Sequence, residues 1–268
     1  MSSANPERNQ RMSSANPEGN KRMSGAAPEG MRPEGADMTA LLRDGLTALR
    51  LPPDAAESMT RYARMLLERN RVMNLTAITS EADAARLHFL DSCALLTLAD
   101  FRGKRVIDVG TGAGFPGLPL KLAEPSIKLT LLDAQRKRVE FLRDVCAALN
   151  LSDVEAVQGR AEEYAAQERE RFDIAVSRAV AALPMLTELC LPFVRVGGRF
   201  LAMKSVNCDE ELASAERAIR TLGGEVRQAV DYVIPGTDIP RRLIVIDKRR
   251  STPSGYPRAF AKIKKNPL

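Results

Sequence analysis

Tryptophan is absent from the 268 residues, histidine occurs once, and aromatic side chains make up only 4%. An aromatic-lined binding surface is therefore not expected. Cysteine is scarce too: Cys93, Cys146, Cys190 and Cys208 are scattered, with no C-x-x-C pair and no zinc spacing. They read as reduced core thiols of a reducing cytosol, and no metal site is expected. No apolar run approaches the roughly 20 residues a membrane helix requires, and the N-terminus lacks a signal-type stretch. The sequence thus predicts a soluble, cytoplasmic protein with no membrane partner.

What is present is unevenly distributed. Residues 1–37 repeat themselves ("MSSANPERNQR", "MSSANPEGNKR", "MSGAAPEG", "MRPEG"), with five basic and five acidic groups and almost nothing to bury. That composition predicts a disordered, dispensable extension, and Met38, directly before the first helical pattern, is a candidate true start. The last 21 residues, 248–268, hold seven basic groups (Lys248, Arg249, Arg250, Arg258, Lys262, Lys264, Lys265) and no acid, more than the chain's whole formal charge of +6. A basic C-terminal tail of this kind is the footprint of a polyanion binder, a solubilising tail being the plainer alternative.

Between these ends the apolar spacing changes character. From Thr39 to residue 99 it is helical: Leu42, Leu46 and Leu49, a break at "LPPD", then Met59, Tyr62, Ala63 and Leu66. Asp54 with Glu57 resembles a capping box opening the second helix, and a third is expected from Ser80 through "RLHFLDSCALLTLA". Residues 38–101 thus read as a small helical cap. Over 102–247, strands at 105–109, 127–132, 153–157, 172–177 and 199–203 alternate with helices starting near Pro116, Arg136, Ala161 and Ala181. A helix near 209–222 precedes two β-rich runs, "EVRQAVDYVI" and "RRLIVIDK". Alternation predicts an open parallel α/β sheet with helices on both faces, and the closing hairpin adds an antiparallel strand. Such a Rossmann-like, seven-stranded sheet is the architecture of class I S-adenosylmethionine (SAM) dependent methyltransferases.

The first strand and its turn, "VIDVGTGAGFPGLPL", decide between cofactors. Gly112, Gly114 and Gly117 satisfy the dinucleotide pattern G-x-G-x-x-G, but the turn's first glycine is Gly110, two residues after Asp108. The resulting D-x-G-x-G-x-G resembles the first motif of SAM enzymes, whose backbone receives the amino-acid end of the cofactor. Methionine's carboxylate suits amides at a helix start, and Pro116 fits the first helical position. Asp133, ending the second strand, is placed to accept from ribose hydroxyls, and Ala161 and Glu162, after the third, lie at the adenine edge. A dinucleotide enzyme should carry a catalytic histidine or Tyr-x-x-x-Lys pair in its second half, and the single histidine is His88.

The segment after the fourth strand, "FDIAVSRAVAALP", has neither the Asn/Asp-Pro-Pro-aromatic motif of amino-group methylation nor the cysteine of C5-pyrimidine methylation. Ser177-Arg178 offers a positive, forked donor and no evident base. Guanine N7 has an in-plane lone pair and no proton, so its methylation requires alignment without prior deprotonation. Arg178 would orient methionine carboxylate or guanine O6; closing a loop through carbonyl contacts is its plainer role.

Taken together, "RNRVMNLTAI", "HFLDSCAL", "VIDVGTGAGFPGLPL", "LLDAQRKRVEFL", "GRAEE", "FDIAVSRA" and "YPR" followed by "KNPL" resemble, in order, the bacterial 16S rRNA guanine-N7 methyltransferase family, also called glucose-inhibited division protein B. The resemblance spans 38–268. It implies methyl transfer from SAM to N7 of one guanine in the decoding-region loop of 16S rRNA, with naked rRNA or the small subunit as partner and no obligate protein partner. The implied cofactor contacts are Gly110, Gly112, Phe115, Asp133, Ala134, Gln135, Ala161, Glu162 and Arg178. Ala134-Gln135 stands where Ser-Leu is frequent in the family, and the 1–37 extension has no counterpart there. A small-molecule methyltransferase and a non-catalytic SAM-binding RNA factor are the alternatives. His88, Asn74 and Lys204 each have a structural reading beside a functional one: packing or capping, turn backbone, and surface lysine against phosphate contact. Arg136, Lys137 and Arg138 open a helix whose N-terminus disfavours positive charge, which suggests an external anion.

Overall fold

The computed structural model describes residues 37–178 and 181–268; the reading of 1–36 as disordered lies outside them. Two helices open the described chain, α1 (Met38–Ala48) and α2 (Ala55–Met73). Asp37 caps α1 by accepting from Thr39 N at 3.1 Å, and Leu42 and Leu46 face inward with Met59, Tyr62, Ala63 and Leu66 of α2. The expected capping box of α2 does not form. Asp54 is itself helical and makes no cap bond; the carbonyls of Pro52 and Pro53 receive Ala55 N and Ala56 N. Glu57 crosses instead to Arg43 at 2.9 Å. The proline pair already turns the chain, so backbone does what the side chain was expected to do.

The third helix begins where expected, with Ser80 Oγ accepting from Asp83 N at 3.0 Å, but it is not uniform. One α-helical turn, α3 (Glu81–Asp83), gives way to π-helix over Ala84–Leu90, then α4 (Asp91–Cys93) and α5 (Leu95–Leu98). π-Helical geometry is rare and re-aims the side chains it carries. Here those include His88.

Seven strands follow: β1 (Arg105–Val109), β2 (Lys128–Asp133), β3 (Val154–Gln158), β4 (Phe172–Arg178), β5 (Val194–Lys204), β6 (Gly224–Val233) and β7 (Pro240–Lys248). Their order is β3-β2-β1-β4-β5-β7-β6, parallel from β3 to β5, with β7 antiparallel to both β5 and β6. This is the mixed sheet that the closing β-rich runs predicted. β5 begins five residues earlier than expected, and the β4–β5 register shifts between Phe172 and Ile174 where Gly197 takes φ +84°.

Side-chain alternation distributes the strands between two cores. Val106, Leu201, Met203, Leu243 and Val245 face α1, α2, α6 (Gly117–Ala123) and α7 (Arg136–Ala148). Ile107, Phe200, Ala202, Ile244 and Ile246 face α9 (Leu183–Cys190) and α10 (Asp209–Thr221). The N-terminal helices thus share one core with the sheet. α8 (Ala161–Tyr164) follows β3, and α11 (Phe260–Lys265) closes the chain.

The basic C-terminal stretch is not a free tail. Lys248, the last residue of β7, is buried and donates to Leu191 O and Thr252 Oγ1, both at 2.7 Å. Arg258 forms a forked pair with the fully buried Glu188 (2.6 and 2.8 Å). Arg249 pairs with Glu225 and Asp247. Counting charge along the sequence missed acids that the fold brings from elsewhere. Lys262, Lys264 and Lys265 stay exposed on α11.

Candidate functional site

The turn after β1 is built on three left-handed glycines, Gly110 (φ +70°), Gly112 (φ +62°) and Gly114 (φ +106°). That region strains any residue with a Cβ. Asp108 lies beneath, its Oδ2 accepting from Thr111 Oγ1 (2.7 Å) and Gly117 N (2.8 Å). Its Oδ1 is buried without a partner among the described residues. Burial pushes this carboxyl up to about 6, partly opposed by those two hydrogen bonds. From the other side Tyr62 Oη of α2 donates to Ala113 O while its ring stacks on Phe115 at 5.4 Å. A Cβ on Gly114 would collide with that Tyr62 oxygen, whereas one on Gly112 would meet nothing nearer than Gly110 O at 4.0 Å. Gly112 therefore presents open backbone.

Asp133 ties the turn to the end of β2. Its Oδ2 accepts from Gly112 N (2.9 Å) and Arg138 Nη1 (3.4 Å), its Oδ1 from Gln135 N (2.8 Å). The external anion expected at the start of α7 is thus answered internally for two of the three residues, since Arg136 also pairs with Glu140 at 2.7 Å. Lys137 is exposed. Beyond β3, Glu162 Oε1 accepts from Arg160 Nε at 2.6 Å.

A cleft of about 630 Å³ opens over the glycine turn, lined by Gly110, Gly112, Phe115 and Arg178 among the predicted residues, and by Thr76, His88, Asp91, Lys204, Glu211 and Arg241. Asp133, Ala134, Gln135, Ala161 and Glu162 do not line it; Asp133 ends β2 and the others lie just beyond the ends of β2 and β3. Ser177 is not available for chemistry, because its buried Oγ donates to Val109 O at 2.8 Å and locks β4 to β1. Lys204 is neither a free phosphate contact nor a surface lysine: Nζ donates to Ala181 O (2.7 Å) and Glu211 Oε1 (2.5 Å). Asn74 is the left-handed cap of α2 (φ 48°), as its turn reading expected.

Arg178 sits at the centre of the wall. Nη1 donates to Leu87 O (3.1 Å) and Asp91 Oδ2 (3.3 Å), Nη2 to His88 Nδ1 (3.0 Å), and the guanidinium lies 5.1 Å from the centre of the Phe115 ring. His88 stacks on the same ring at 4.4 Å and meets Thr76 Oγ1 through Nε2 at 2.8 Å. Burial, then the Arg178 charge, lower His88 to about 3, so the ring is neutral. Asp91 is buried and also accepts from Tyr232 Oη at 2.9 Å; burial raises its carboxyl, against the pull of Arg178 and Tyr232. Sequence reading missed Thr76, Asp91, Tyr62 and Tyr232 as site residues. The quoted segments "RNRVMNLTAI" and "HFLDSCAL" contained the first two; Tyr62 registered only as part of an apolar stripe.

The GidB family model, described as rRNA small subunit methyltransferase G, matches residues 55–238. The ribosomal RNA small subunit methyltransferase G of Alkaliphilus oremlandii is 46% identical over 237 residues, spanning 87% of this chain and 99% of its own. That of Alkaliphilus metalliredigens is 45% identical over 233 residues, spanning 85% and 98%. Among solved structures, a crystal structure of an MtNAS mutant matches with a TM-score of 0.50 and 15% identity, covering 79% of this chain and 76% of the other, a likeness of fold alone.

Proposed function

The chain belongs to the rRNA small subunit methyltransferase G family, and on that footing we propose that it transfers a methyl group from S-adenosyl-L-methionine to N7 of one guanine in the decoding-region loop of 16S rRNA. The observation that carries this reading is that the imidazole and carboxylates lining the cleft are each already tied to a cation or a hydrogen-bond donor. His88 spends Nδ1 on Arg178, Asp91 is engaged by Arg178 and Tyr232, and Glu211 is held through Oε1 by the Lys204 ammonium and Leu183 N. An amine or hydroxyl acceptor must shed a proton as it is alkylated. Guanine N7 has none to shed, so the wall has only to align it.

When bound, SAM supplies an electrophilic sulfonium methyl. The residues present fit such a cofactor: Gly112 leaves open backbone at the cleft, and Asp108 Oδ1 is an unspent acceptor directly beneath the turn. Gly110, Gly112 and Phe115 would hold the amino-acid end. Asp133, Ala134 and Gln135 would hold the ribose, with Ala161 and Glu162 toward adenine, along the ends of β2 and β3. Arg178 would orient the reacting partners through Nε–H and one Nη2–H, the two donors with no acceptor among the described residues. The exposed lysines of α11 would meet rRNA phosphates. No helix among the described residues is long and apolar enough to cross a membrane; it is the proposed substrate, rRNA or the small subunit, that would place the enzyme in the cytoplasm.

The test is methyl transfer from labelled SAM to purified small subunits and to naked 16S rRNA, with the product nucleoside identified by mass spectrometry. 7-Methylguanosine at one decoding-region position is the expected product. SAM binding without labelling of either RNA would overturn the reading in favour of a small-molecule acceptor or a non-catalytic factor.

A further inference from the structure

A hydrogen-bond chain along the cleft wall has its polarity fixed at one end. The Arg178 guanidinium can only donate. Its Nη2 meets His88 Nδ1 at 3.0 Å, so Nδ1 is an acceptor and the proton of the neutral ring resides on Nε2. That N–H must then donate to Thr76 Oγ1, 2.8 Å away. Ile78 N donates to the same oxygen at 3.1 Å. Both lone pairs of the Thr76 hydroxyl are thereby taken, and its own hydrogen has no acceptor among the described residues. Thr76 lines the cleft.

The hydroxyl is also held in place. Asn70 clamps the Thr76 backbone with two 2.9 Å bonds, from Nδ2 to Thr76 O and from Thr76 N to Oδ1. Arg178, anchored on Leu87 O and Asp91, keeps Nε–H and one Nη2–H unspent among the described residues. From Thr76 to Arg178 the wall therefore offers unspent hydrogens, while its acceptors, His88 Nδ1 and the Asp91 carboxylate, are already engaged among the described residues. Guanine presents two acceptors, N7 and O6, on one edge; adenine presents N7 beside the N6 amino donor. N7 must stay free to attack, which leaves O6 for the wall.

We propose that Thr76 is a base-specificity residue, its hydroxyl donating to O6 of the target guanine and rejecting adenine, with His88 as the positioning residue that sets the direction of that donor. The proposal rests on the guanine-N7 reading given above. An adenine in the same place would set its N6 hydrogens against the Thr76 hydrogen, and such a mismatch of buried polar groups discriminates strongly.

Two experiments test it. His88 is the chain's single histidine, so ¹⁵N spectra of imidazole-labelled protein report it without overlap. The expected spectrum has a protonated Nε2 and bare Nδ1, unchanged between about pH 7 and pH 5, because the charged group facing the ring is Arg178. A proton on Nδ1, or titration in that range, would overturn the assigned polarity whatever the enzyme methylates. The second uses small subunits carrying guanosine, inosine or 2-aminopurine at the target position. Inosine keeps O6, 2-aminopurine lacks it, and both keep N7. The wild type should methylate inosine nearly as well as guanosine and 2-aminopurine about tenfold less efficiently in kcat/KM. Thr76→Val should lower guanosine and inosine to the 2-aminopurine level and leave 2-aminopurine unchanged, while Thr76→Ser restores the preference. An equal loss on all three substrates would make Thr76 merely structural and end the proposal. No methylation of any of them by the wild type would remove the guanine reading, and the proposal with it.

Discussion

At the scale of single residues, the two inner glycines of the turn separate folding from binding. Gly114→Ala puts a Cβ against the Tyr62 oxygen at φ +106°, so denaturant unfolding should show a loss of about 2 kcal/mol or more. Gly112→Ala meets open space and should cost only about 1 kcal/mol through its positive φ, yet it should weaken SAM binding, because that space is the proposed cradle. Asp133→Ala should weaken SAM binding by about 1–3 kcal/mol. It should also loosen the turn, since Asp133 holds Gly112 N as well. Calorimetric titration with SAM and an unfolding curve on the same variant would separate the two effects; unchanged SAM affinity would exclude the ribose role. The glycines and Asp133 were legible because a strand–turn–helix constrains them locally. Thr76, Asp91 and Tyr232 were not, for the network that joins them to Arg178 is tertiary: Asp91 lies 87 positions from Arg178 and 141 from Tyr232, and Thr76 reaches Arg178 only through His88.

At the scale of elements, the C-terminal segment is the clearest case of sequence and fold disagreeing. Arg258 was read as one charge of a tail, yet it neutralises Glu188, whose carboxylate has no exposure to solvent. Arg258→Ala should therefore destabilise by about 3–5 kcal/mol by leaving that charge buried and unpaired. Replacing Lys262, Lys264 and Lys265 together by Gln should change stability by less than about 0.5 kcal/mol, because all three are exposed. If they meet rRNA phosphates, the slope of log affinity against log salt should shrink by about 2. An unchanged slope would remove α11 from the RNA interface. The π-helical stretch was illegible for a different reason. Its apolar spacing reads as an ordinary helix, and only packing against β4 and the glycine turn gives the widened turns a use.

At the scale of the molecule, buried ionisable groups give stability a distinctive pH profile. Lys248 is pushed down to about 8 from 10.5, by burial, against the attraction of Glu170. The unfolded chain holds this proton more tightly, so stability should rise between about pH 8 and pH 10.5, by up to about 3 kcal/mol relative to Lys248→Met. Thermal melts of both proteins across that range would check the sign. On the acid side His88, lowered from 6.5 to about 3, loses its stabilising contribution as pH falls through that interval. Asp108, raised from 3.8 to about 6, gains as pH falls from 6 to 3.8. The two slopes oppose each other there, so His88→Gln should expose the Asp108 slope as stability that increases on acidification to about pH 4.

The π-helical stretch and α11 apart, the sequence by itself determined the order of the strands and main helices, the mixed seven-stranded sheet, and the glycine turn with its flanking acids. These follow from periodicity and from backbone demands within a few residues of chain, which local chemistry can satisfy. Tertiary structure decided which charges are spent and which remain. It turned Lys248, Arg258 and Lys204 from presumed surface cations into paired groups, Lys248 buried and the other two half-buried, and it set His88, Thr76 and Arg178 into one polarised wall. Charge pairing and hydrogen-bond direction depend on which groups meet across the fold, and on the water their meeting excludes.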